Sequence, residues 1–210
     1  MQTSNDLQEW FGGIDIYLFD QLLKGRFVPG MRVLDAGCGS GRNLVYFLRS
    51  EYEVFGVDRS EEAITQTGRL AANFAPHLPA DNFRLEAVEW MTFADASFDV
   101  VLSSAVLHFA RDEEEWQSMV NEMWRVLKPG GIFFARLASS IGMEAQVRLI
   151  EHRRYTLPDG SDRFLVDEAM LLRVTAALGG EFIEPIKTTV VHKMRAMTTW
   201  VVKKKVMSDK

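Results

Sequence analysis

Three alternate glycines follow a short apolar segment in the stretch Val33-Leu34-Asp35-Ala36-Gly37-Cys38-Gly39-Ser40-Gly41-Arg42-Asn43. Glycine has no side chain to keep a ligand away and tolerates positive φ, so a backbone built from it can approach a ligand closely. The stretch therefore predicts a buried strand that ends at Asp35, a loop that binds a flat or extended ligand, and a helix that begins after the loop.

The spacing of the glycines separates two kinds of nucleotide site. The dinucleotide fingerprint is G-x-G-x-x-G, whereas this loop reads G-x-G-x-G and places Arg42 where the third glycine of the fingerprint would stand. The next apolar segment ends at Asp58, and a carboxylate at the end of a strand can accept two hydrogen bonds from a ribose diol. A nucleoside with vicinal hydroxyls and no pyrophosphate fits S-adenosylmethionine better than NAD.

Strand-like and helix-like segments alternate on both sides of this loop, from residue 14 onward. Five short apolar segments bounded by turn residues are typical of strands buried on both faces, at residues 31–35, 53–57, 82–87, 98–103 and 132–137. This alternation indicates an α/β fold, in which a parallel sheet carries helices on its faces.

The clearest helical segment is residues 112–128, where Trp116, Met119 and Met123 share one apolar face and Asp112 with Glu115 forms a capping box. The run Pro129-Gly130-Gly131 is predicted to end this helix. The other predicted elements are a helix at 14–24, a helix that begins near Ser60, an irregular segment at 138–160, a helix at 167–178 capped by Gly179, and a closing hairpin at 182–202.

Composition and charge exclude several classes of protein. A chain of 210 residues that is 47% apolar predicts one globular domain, and a net charge of -5 gives no electrostatic footprint for nucleic acid. The basic run Lys203-Lys204-Lys205 is interpreted as a solvated tail. Residues 1–8 are polar and no apolar run reaches spanning length, which predicts a cytoplasmic protein without a membrane partner. One cysteine, Cys38, and four histidines without ligand spacing imply no metal.

Four motifs resemble those of the class I S-adenosylmethionine-dependent methyltransferases. They are the glycine stretch at 33–41, Val57-Asp58, Ser97-Phe98-Asp99-Val100-Val101 and Leu127-Lys128-Pro129-Gly130-Gly131. The resemblance implies a Rossmann-like, doubly wound seven-stranded sheet, mostly parallel with an antiparallel last strand. A narrower resemblance to the methyltransferase type 11 and tellurite-resistance branch rests on Gly41-Arg42-Asn43, Asp167-Glu168 and residues 197–202.

The resemblance also implies a distribution of cofactor contacts. Residues 35–41 would hold the amino acid part of S-adenosylmethionine and Asp58 the ribose, while Ala87 stands where many relatives carry an acid beside the adenine. Val88, Glu89 and Trp90 would then hold the ring. The complete set assigned to the cofactor is Asp35, Gly37, Cys38, Gly39, Gly41, Asn43, Asp58, Arg59, Val88, Glu89, Trp90 and Ser104. Asp58 has a second interpretation as a cap of the helix near Ser60.

Substrate is expected at the end of the fourth strand, because open α/β sheets bind ligands at the carboxyl ends of their strands. His108 lies there and is interpreted as a general base, a substrate contact or a structural histidine. Aromatic residues Trp10 and Tyr17 of the first helical region, and Tyr155, would wall a pocket or pack on the sheet. Arg136, with basic residues 152–154, would pair with an anionic substrate.

The sequence thus predicts a methyltransferase that uses S-adenosylmethionine, releases S-adenosylhomocysteine and methylates a small molecule by in-line displacement. The alternatives are a nicotinamide-dependent oxidoreductase and a non-catalytic S-adenosylmethionine-binding regulatory protein. Residues 1–210 are interpreted as one methyltransferase domain, divided into a helical cap (1–27), a cofactor-binding core (28–137), a substrate-side segment with its helix (138–180), and a closing hairpin and tail (181–210). No motif specifies an oligomeric state.

Overall fold

An eight-stranded sheet forms the centre of the computed structural model, which describes residues 4–206. Seven strands follow one another in space in the order β10 (Lys187–Val191), β11 (Arg195–Lys204), β5 (Leu127–Ala138), β4 (Phe98–Ser104), β1 (Arg32–Ala36), β2 (Glu53–Asp58) and β3 (Phe83–Leu85). The eighth strand, β9 (Gly180–Phe182), pairs with β11.

Strand direction confirms the predicted doubly wound topology. The pairs β1–β2, β1–β4, β2–β3 and β4–β5 are parallel, and β11 is antiparallel to β5. Both β9 and β10 pair with β11 along the edge that faces away from β5, so they occupy one position in the sheet. Eight strands therefore fill the seven positions that the resemblance implies.

Helices cover both faces of this sheet, as predicted. They are α1 (Ser4–Phe11), α2 (Ile16–Leu23), α3 (Val45–Arg49), α4 (Glu61–Phe74), α5 (Glu113–Val126) and α6 (Glu168–Ala177). Successive strand residues point to opposite faces. Accordingly, Leu34 belongs to the apolar cluster that contains α5 and α6 residues, whereas its neighbour Val33 belongs to the cluster that contains α2, α3 and α4 residues.

The predicted helix starts are confirmed by their caps. Ser60 Oγ accepts a hydrogen bond from the Ala63 backbone N–H (3.3 Å), and Asp112 accepts one from Glu115 N–H (2.8 Å). Asp167 caps α6 in the same way through Met170 N–H (2.7 Å). These side chains satisfy backbone donors that have no partner inside the helix. The predicted apolar face of α5 is buried.

The end of α5 differs from the prediction. The helix stops at Val126, and Pro129-Gly130-Gly131 lies within β5, because Leu127 already pairs with Phe98 of β4. Lys204 contributes to this end, since its ammonium donates to the carbonyls of Trp124 (2.6 Å) and Leu127 (2.8 Å). The interpretation of Lys203-Lys204-Lys205 as a solvated tail is therefore wrong for Lys204.

The prediction that residues 138–160 are irregular is also wrong. It contains β6 (Arg148–Glu151) and β7 (Arg154–Thr156), which form an antiparallel sheet with β8 (Asp162–Phe164). All four residues of β6 are exposed, so no apolar alternation marks the strand. The turn between β6 and β7 carries positive φ at His152 (46°) and Arg153 (65°) without a glycine to signal it.

Other predicted boundaries are close to the observed ones. The helix expected at 14–24 is α2, preceded by Asp15 as its cap, and the closing hairpin is β10 with β11. Helix α1 lies within the region interpreted as a helical cap (1–27), although no separate helix was delimited there. Residues 1–3 and 207–210, which include the start of the polar segment and the end of the tail, lie outside the described residues.

Within residues 4–206, none of the helices combines the length and apolar character that crossing a bilayer requires. The same residues contain no group of three or more His, Cys, Asp or Glu side chains positioned to hold a metal ion.

Candidate cofactor and acceptor site

The three glycines after β1 have different surroundings. A Cβ on Gly37 would lie 2.4 Å from a methyl group of Val106, and one on Gly41 would lie 2.9 Å from Leu70 of α4. A Cβ on Gly39 would meet nothing within 4 Å, and the φ of Gly39 is +54°. Gly37 and Gly41 therefore allow close packing of the loop, whereas Gly39 presents bare backbone to open space.

That open space is a cleft of about 400 Å³ at the carboxyl ends of β1, β2 and β4. Its volume is within the range typical of small-molecule sites. Eight of the residues assigned to the cofactor from sequence line it: Gly37, Cys38, Gly39, Asp58, Arg59, Val88, Glu89 and Ser104. Ser40, which belongs to the loop 35–41 predicted to hold the amino acid part, lines the cleft too. The sequence analysis did not assign to the cofactor the other lining residues, which are Arg42, Ala105, Val106, Phe109, Ala110, Glu115 and Met119.

Asp58 connects the glycine loop to the start of α4. One carboxylate oxygen accepts from Gly39 N–H (2.9 Å) and the other accepts from Ser60 N–H (2.9 Å). The cap of α4 is Ser60 itself, so Asp58 supports the turn before the cap. Each oxygen retains a second lone pair with which it can accept a hydrogen bond from a ligand hydroxyl.

Asp35 is buried beneath the loop. Among the described residues, its Oδ1 has no hydrogen-bond partner. Burial raises the pKa of Asp35 to about 7, an effect that nearby Asp58 reinforces and the guanidinium of Arg42 opposes. A buried acceptor without a partner is rare in folded proteins and suits a ligand that supplies a donor or a positive charge.

The remaining residues assigned to the cofactor have other positions. Asn43 is buried, and its side-chain oxygen accepts from Asp15 N–H (3.0 Å), so Asn43 holds the start of α2 against the loop. Trp90 is 79% exposed and is not part of the cleft wall. Cys38 does line the cleft, but burial raises the pKa of its thiol well above its usual range, which keeps the sulfur protonated and unreactive.

A second cavity of about 340 Å³ adjoins the cleft. Arg42, Ser104 and Ala105 line both spaces, so they form the boundary between them. The other residues around the second cavity are Asp15, His108, Arg136, Ala138, Leu157, Asp159, Ser161, Arg163, Arg195 and Met197.

The boundary between the two spaces is held by short polar contacts. Arg42 donates to Ser104 Oγ (3.0 Å) and to the carbonyl of Gly13 (3.1 Å), which ties the turn before α2 to the end of β4. Ala105 has a φ of +64°, and its N–H donates to the Arg136 carbonyl (2.8 Å). Strained backbone of this kind persists where the surrounding structure holds it, often at ligand sites.

His108 is only 6% exposed. Its Nδ1 accepts a hydrogen bond from the Ala138 backbone N–H (3.3 Å), and burial together with Arg163 lowers its pKa from 6.5 to about 4. The imidazole is therefore neutral near pH 7, with its proton on Nε2. In this state His108 can donate a hydrogen bond to a ligand, but its acceptor nitrogen is occupied.

The residues assigned to substrate from sequence separate into two groups. Arg136 and His108 line the second cavity, and Arg136 forms an ion pair with Asp15 (3.2 Å) while its guanidinium lies 4.6 Å from the Tyr17 ring. Tyr17 does not line the cavity and touches it through Arg136 and through Asp15, which accepts a hydrogen bond from the Tyr17 backbone N–H (2.9 Å). Trp10 and Tyr155 line neither space.

Trp10 and Tyr155 have structural surroundings. Trp10 is 47% exposed and its ring centroid lies 5.5 Å from the guanidinium carbon of Arg49. Tyr155 packs on a small apolar cluster with Leu157 and Leu165.

The basic residues after 150 were expected to act with Arg136, but they have other partners. Arg153 pairs with Asp167 (3.0 Å) and Glu113 (3.5 Å), and Arg154 donates to the Ala110 carbonyl (3.4 Å). The arginines that join Arg136 around the second cavity are Arg42, Arg163 and Arg195. Arg42 belongs to the glycine stretch, but no local motif marks Arg163 and Arg195, which are distant from it and from each other in sequence.

Comparison with known proteins relates this chain to methyltransferases. Residues 34–135 match the family model described as a methyltransferase domain. An uncharacterized methyltransferase of Synechocystis sp. is 37% identical over 105 residues, which are 50% of this chain and 46% of the relative. A malonyl-[acyl-carrier protein] O-methyltransferase of Enterobacter lignolyticus is 32% identical over 154 residues, 72% of this chain and 55% of the relative. The chain thus spans about half the length of these relatives.

Solved structures share the fold. A methyltransferase of Methanosarcina mazei described as S-adenosylmethionine-dependent superposes with a TM-score of 0.69 at 22% identity, over 89% of this chain and 98% of that one. The 1,6-didemethyltoxoflavin-N1-methyltransferase of Burkholderia thailandensis, solved with its substrate and S-adenosylhomocysteine, gives 0.70 at 19% identity, over 96% of this chain and 82% of that one.

Proposed function

Because the chain belongs to the class I S-adenosylmethionine-dependent methyltransferase superfamily, we propose that it transfers a methyl group from S-adenosylmethionine to a small-molecule acceptor. The observation that carries this proposal is the pair of adjoining spaces that share Arg42, Ser104 and Ala105. One space has the glycine loop of a nucleoside site, and the other is a polar cavity large enough for a small acceptor.

The residues around the first space fit this cofactor. Gly39 leaves room for close approach to the backbone, and the Asp58 carboxylate retains lone pairs for a ribose diol. Asp35 is buried beneath the loop and is not part of the cleft lining, but its unpartnered Oδ1 would attract the ammonium end of the amino acid part. When bound, S-adenosylmethionine supplies a methyl group on a positively charged sulfur, which is an activated leaving group. Met119 and Phe109 add apolar wall to the same space.

The residues around the second space would bind, orient and desolvate the acceptor. The acceptor's lone pair forms the new bond to carbon as the bond from carbon to sulfur breaks, so alignment of the two supplies much of the rate. His108 is proposed to donate a hydrogen bond through Nε2 and not to remove a proton, because its Nδ1 already accepts from Ala138 N–H. The acceptor atom would then be deprotonated before transfer.

Related proteins support a small acceptor. The Burkholderia enzyme is named for methylation of 1,6-didemethyltoxoflavin, and the Enterobacter enzyme for methylation of a malonyl group on acyl-carrier protein. We further propose that residues 1–210 act as one domain in the cytoplasm, without nucleic acid or membrane as a partner. The net charge of -5 and the lone Cys38 support these assignments.

Isothermal titration with S-adenosylhomocysteine tests the cofactor. We expect micromolar binding by the unaltered protein and a loss of about 1.5–3 kcal/mol in Asp58→Ala, the scale of hydrogen bonds to a charged group. Asp81→Ala is the matched control, because Asp81 is exposed beside β3 and is not part of the cleft. Absence of binding, or equal affinity in the two variants, would contradict the assignment. Heat on addition of NAD but not S-adenosylhomocysteine would favour an oxidoreductase.

A further inference from the structure

The second cavity carries an excess of positive charge. Four arginines line it, Arg42, Arg136, Arg163 and Arg195, against two aspartates, Asp15 and Asp159. Four positive and two negative charges leave a surplus of two, since the low pKa of His108 keeps the imidazole neutral. Such a surplus in a polar pocket attracts an anion.

Not every arginine in the lining is available to a ligand. Asp15 pairs with Arg136. Within residues 4–206, no carboxylate oxygen lies within 4.0 Å of a side-chain nitrogen of Arg42, Arg163 or Arg195. Arg42 uses its donors on Ser104 and on the Gly13 carbonyl. Arg163 and Arg195 are therefore the two guanidiniums with the most donors left for a ligand.

These two arginines reach the cavity from different elements. Arg163 lies on β8, where its guanidinium stacks 4.9 Å from the ring of Phe109 and donates to the Asp162 carbonyl (2.8 Å). Arg195 begins β11 after the hairpin turn. Two guanidiniums that line one cavity from separate strands can both donate to one oxyanion, and His108 offers a third donor from the buried wall.

We propose that this cavity binds the methyl acceptor through a carboxylate group, which Arg163 and Arg195 hold with His108 Nε2 as an additional donor. The inference rests on the proposed function, because it takes the second cavity to be the acceptor site. The two aspartates are already counted in the surplus of two positive charges, so competition between carboxylic acids and phosphate monoesters tests the choice of anion. With a carboxylate as the bound group, the acceptors are small organic acids.

Matched pairs of ligands test whether the cavity binds small carboxylic acids. We would measure binding of a library of small carboxylic acids, each beside its primary amide, to protein saturated with S-adenosylhomocysteine, by ligand-observed NMR. Acids should bind more tightly than their amides. Arg163→Gln and Arg195→Gln should each weaken acid binding by roughly tenfold or more and leave amide binding unchanged, as expected for loss of charge-assisted hydrogen bonds.

Arg69→Gln is the control, because Arg69 is exposed on α4 and lines neither space. It should retain the full preference for acids, and all three variants should retain affinity for S-adenosylhomocysteine, which shows that they are folded. The proposal is overturned if no acid binds better than its amide, if the preference survives in Arg163→Gln and Arg195→Gln, or if phosphate monoesters compete more strongly than acids. Failure of the proposed function is a separate result, namely no binding of S-adenosylhomocysteine before any acid is added.

Discussion

Burial of His108 makes the stability of the fold depend on pH. The folded-state pKa of about 4 lies below the ordinary 6.5, so the unfolded chain binds a proton on this residue at higher pH than the folded protein does. The low folded-state pKa of His108 therefore has no effect on the free energy of unfolding above pH 6.5. It lowers the free energy of unfolding progressively as pH falls from 6.5 to about 4. The full loss is on the order of 3 kcal/mol.

Urea titrations at several pH values check this sign. His108→Asn removes the titration and keeps a side-chain acceptor for the Ala138 N–H, so its free energy of unfolding should fall less than that of the unaltered protein between pH 6.5 and 4. Asp35 acts in the opposite direction, because its raised pKa favours the folded state at lower pH, but it is present in both proteins and cancels. Parallel pH curves would contradict the prediction.

At the scale of secondary-structure elements, helices α4 and α6 differ in the backbone conformation of a glycine, which lies inside α4 in one case and just after α6 in the other. Gly68 lies inside α4 with ordinary φ, whereas Gly179 follows α6 with a φ of +66°. A Cβ would meet nothing within 4 Å at either position. Gly68→Ala should raise the free energy of unfolding by about 0.5–1 kcal/mol. Gly179→Ala should lower it by roughly 1–2 kcal/mol, the cost of a side chain in left-handed conformation. Urea midpoints followed by circular dichroism measure both, and equal signs would refute the argument.

Helices and strands were predictable from the sequence where residues close together in the chain determine them. The strands before Asp35 and Asp58 are runs of buried residues, and the caps Ser60, Asp112 and Asp167 are short-range hydrogen bonds. Prediction failed where a distant partner decides. Helix α5 ends before Leu127 because Leu127 pairs with Phe98 of β4, and the exposed strand β6 exists because β7 lies beside it.

For the whole molecule, the sequence predicted the sheet and the glycine loop but not the second cavity. The residues of the loop are contiguous in sequence, so the spacing of the three glycines is enough to indicate a ligand-binding loop. The second cavity combines Asp15, His108, Arg136, Arg163 and Arg195, which come from separate parts of the chain and share no spacing. Arg136 was identified because it ends a strand, whereas Arg163 lies in a strand too short to be recognised from sequence.

The same architecture predicts a gradient of local stability across the molecule. Strands β1 and β4 are paired on both sides and almost wholly buried, whereas β6 is exposed along its length and, within residues 4–206, pairs only with β7. Backbone amides open locally where few buried contacts resist opening. Hydrogen exchange followed by mass spectrometry should therefore be slowest in β1 and β4 and fastest in β6.

Addition of S-adenosylhomocysteine should change this pattern unevenly. A ligand that binds only the folded state slows exchange by mass action, most where its own contacts form. We expect the largest slowing in residues 37–42 and at the end of β4, with little change in β6, because the cleft is lined by the former and not by the latter. Equal slowing in every strand would mean that the ligand acts only through global stability, and slowing confined to β6 would move the cofactor site away from the glycine loop.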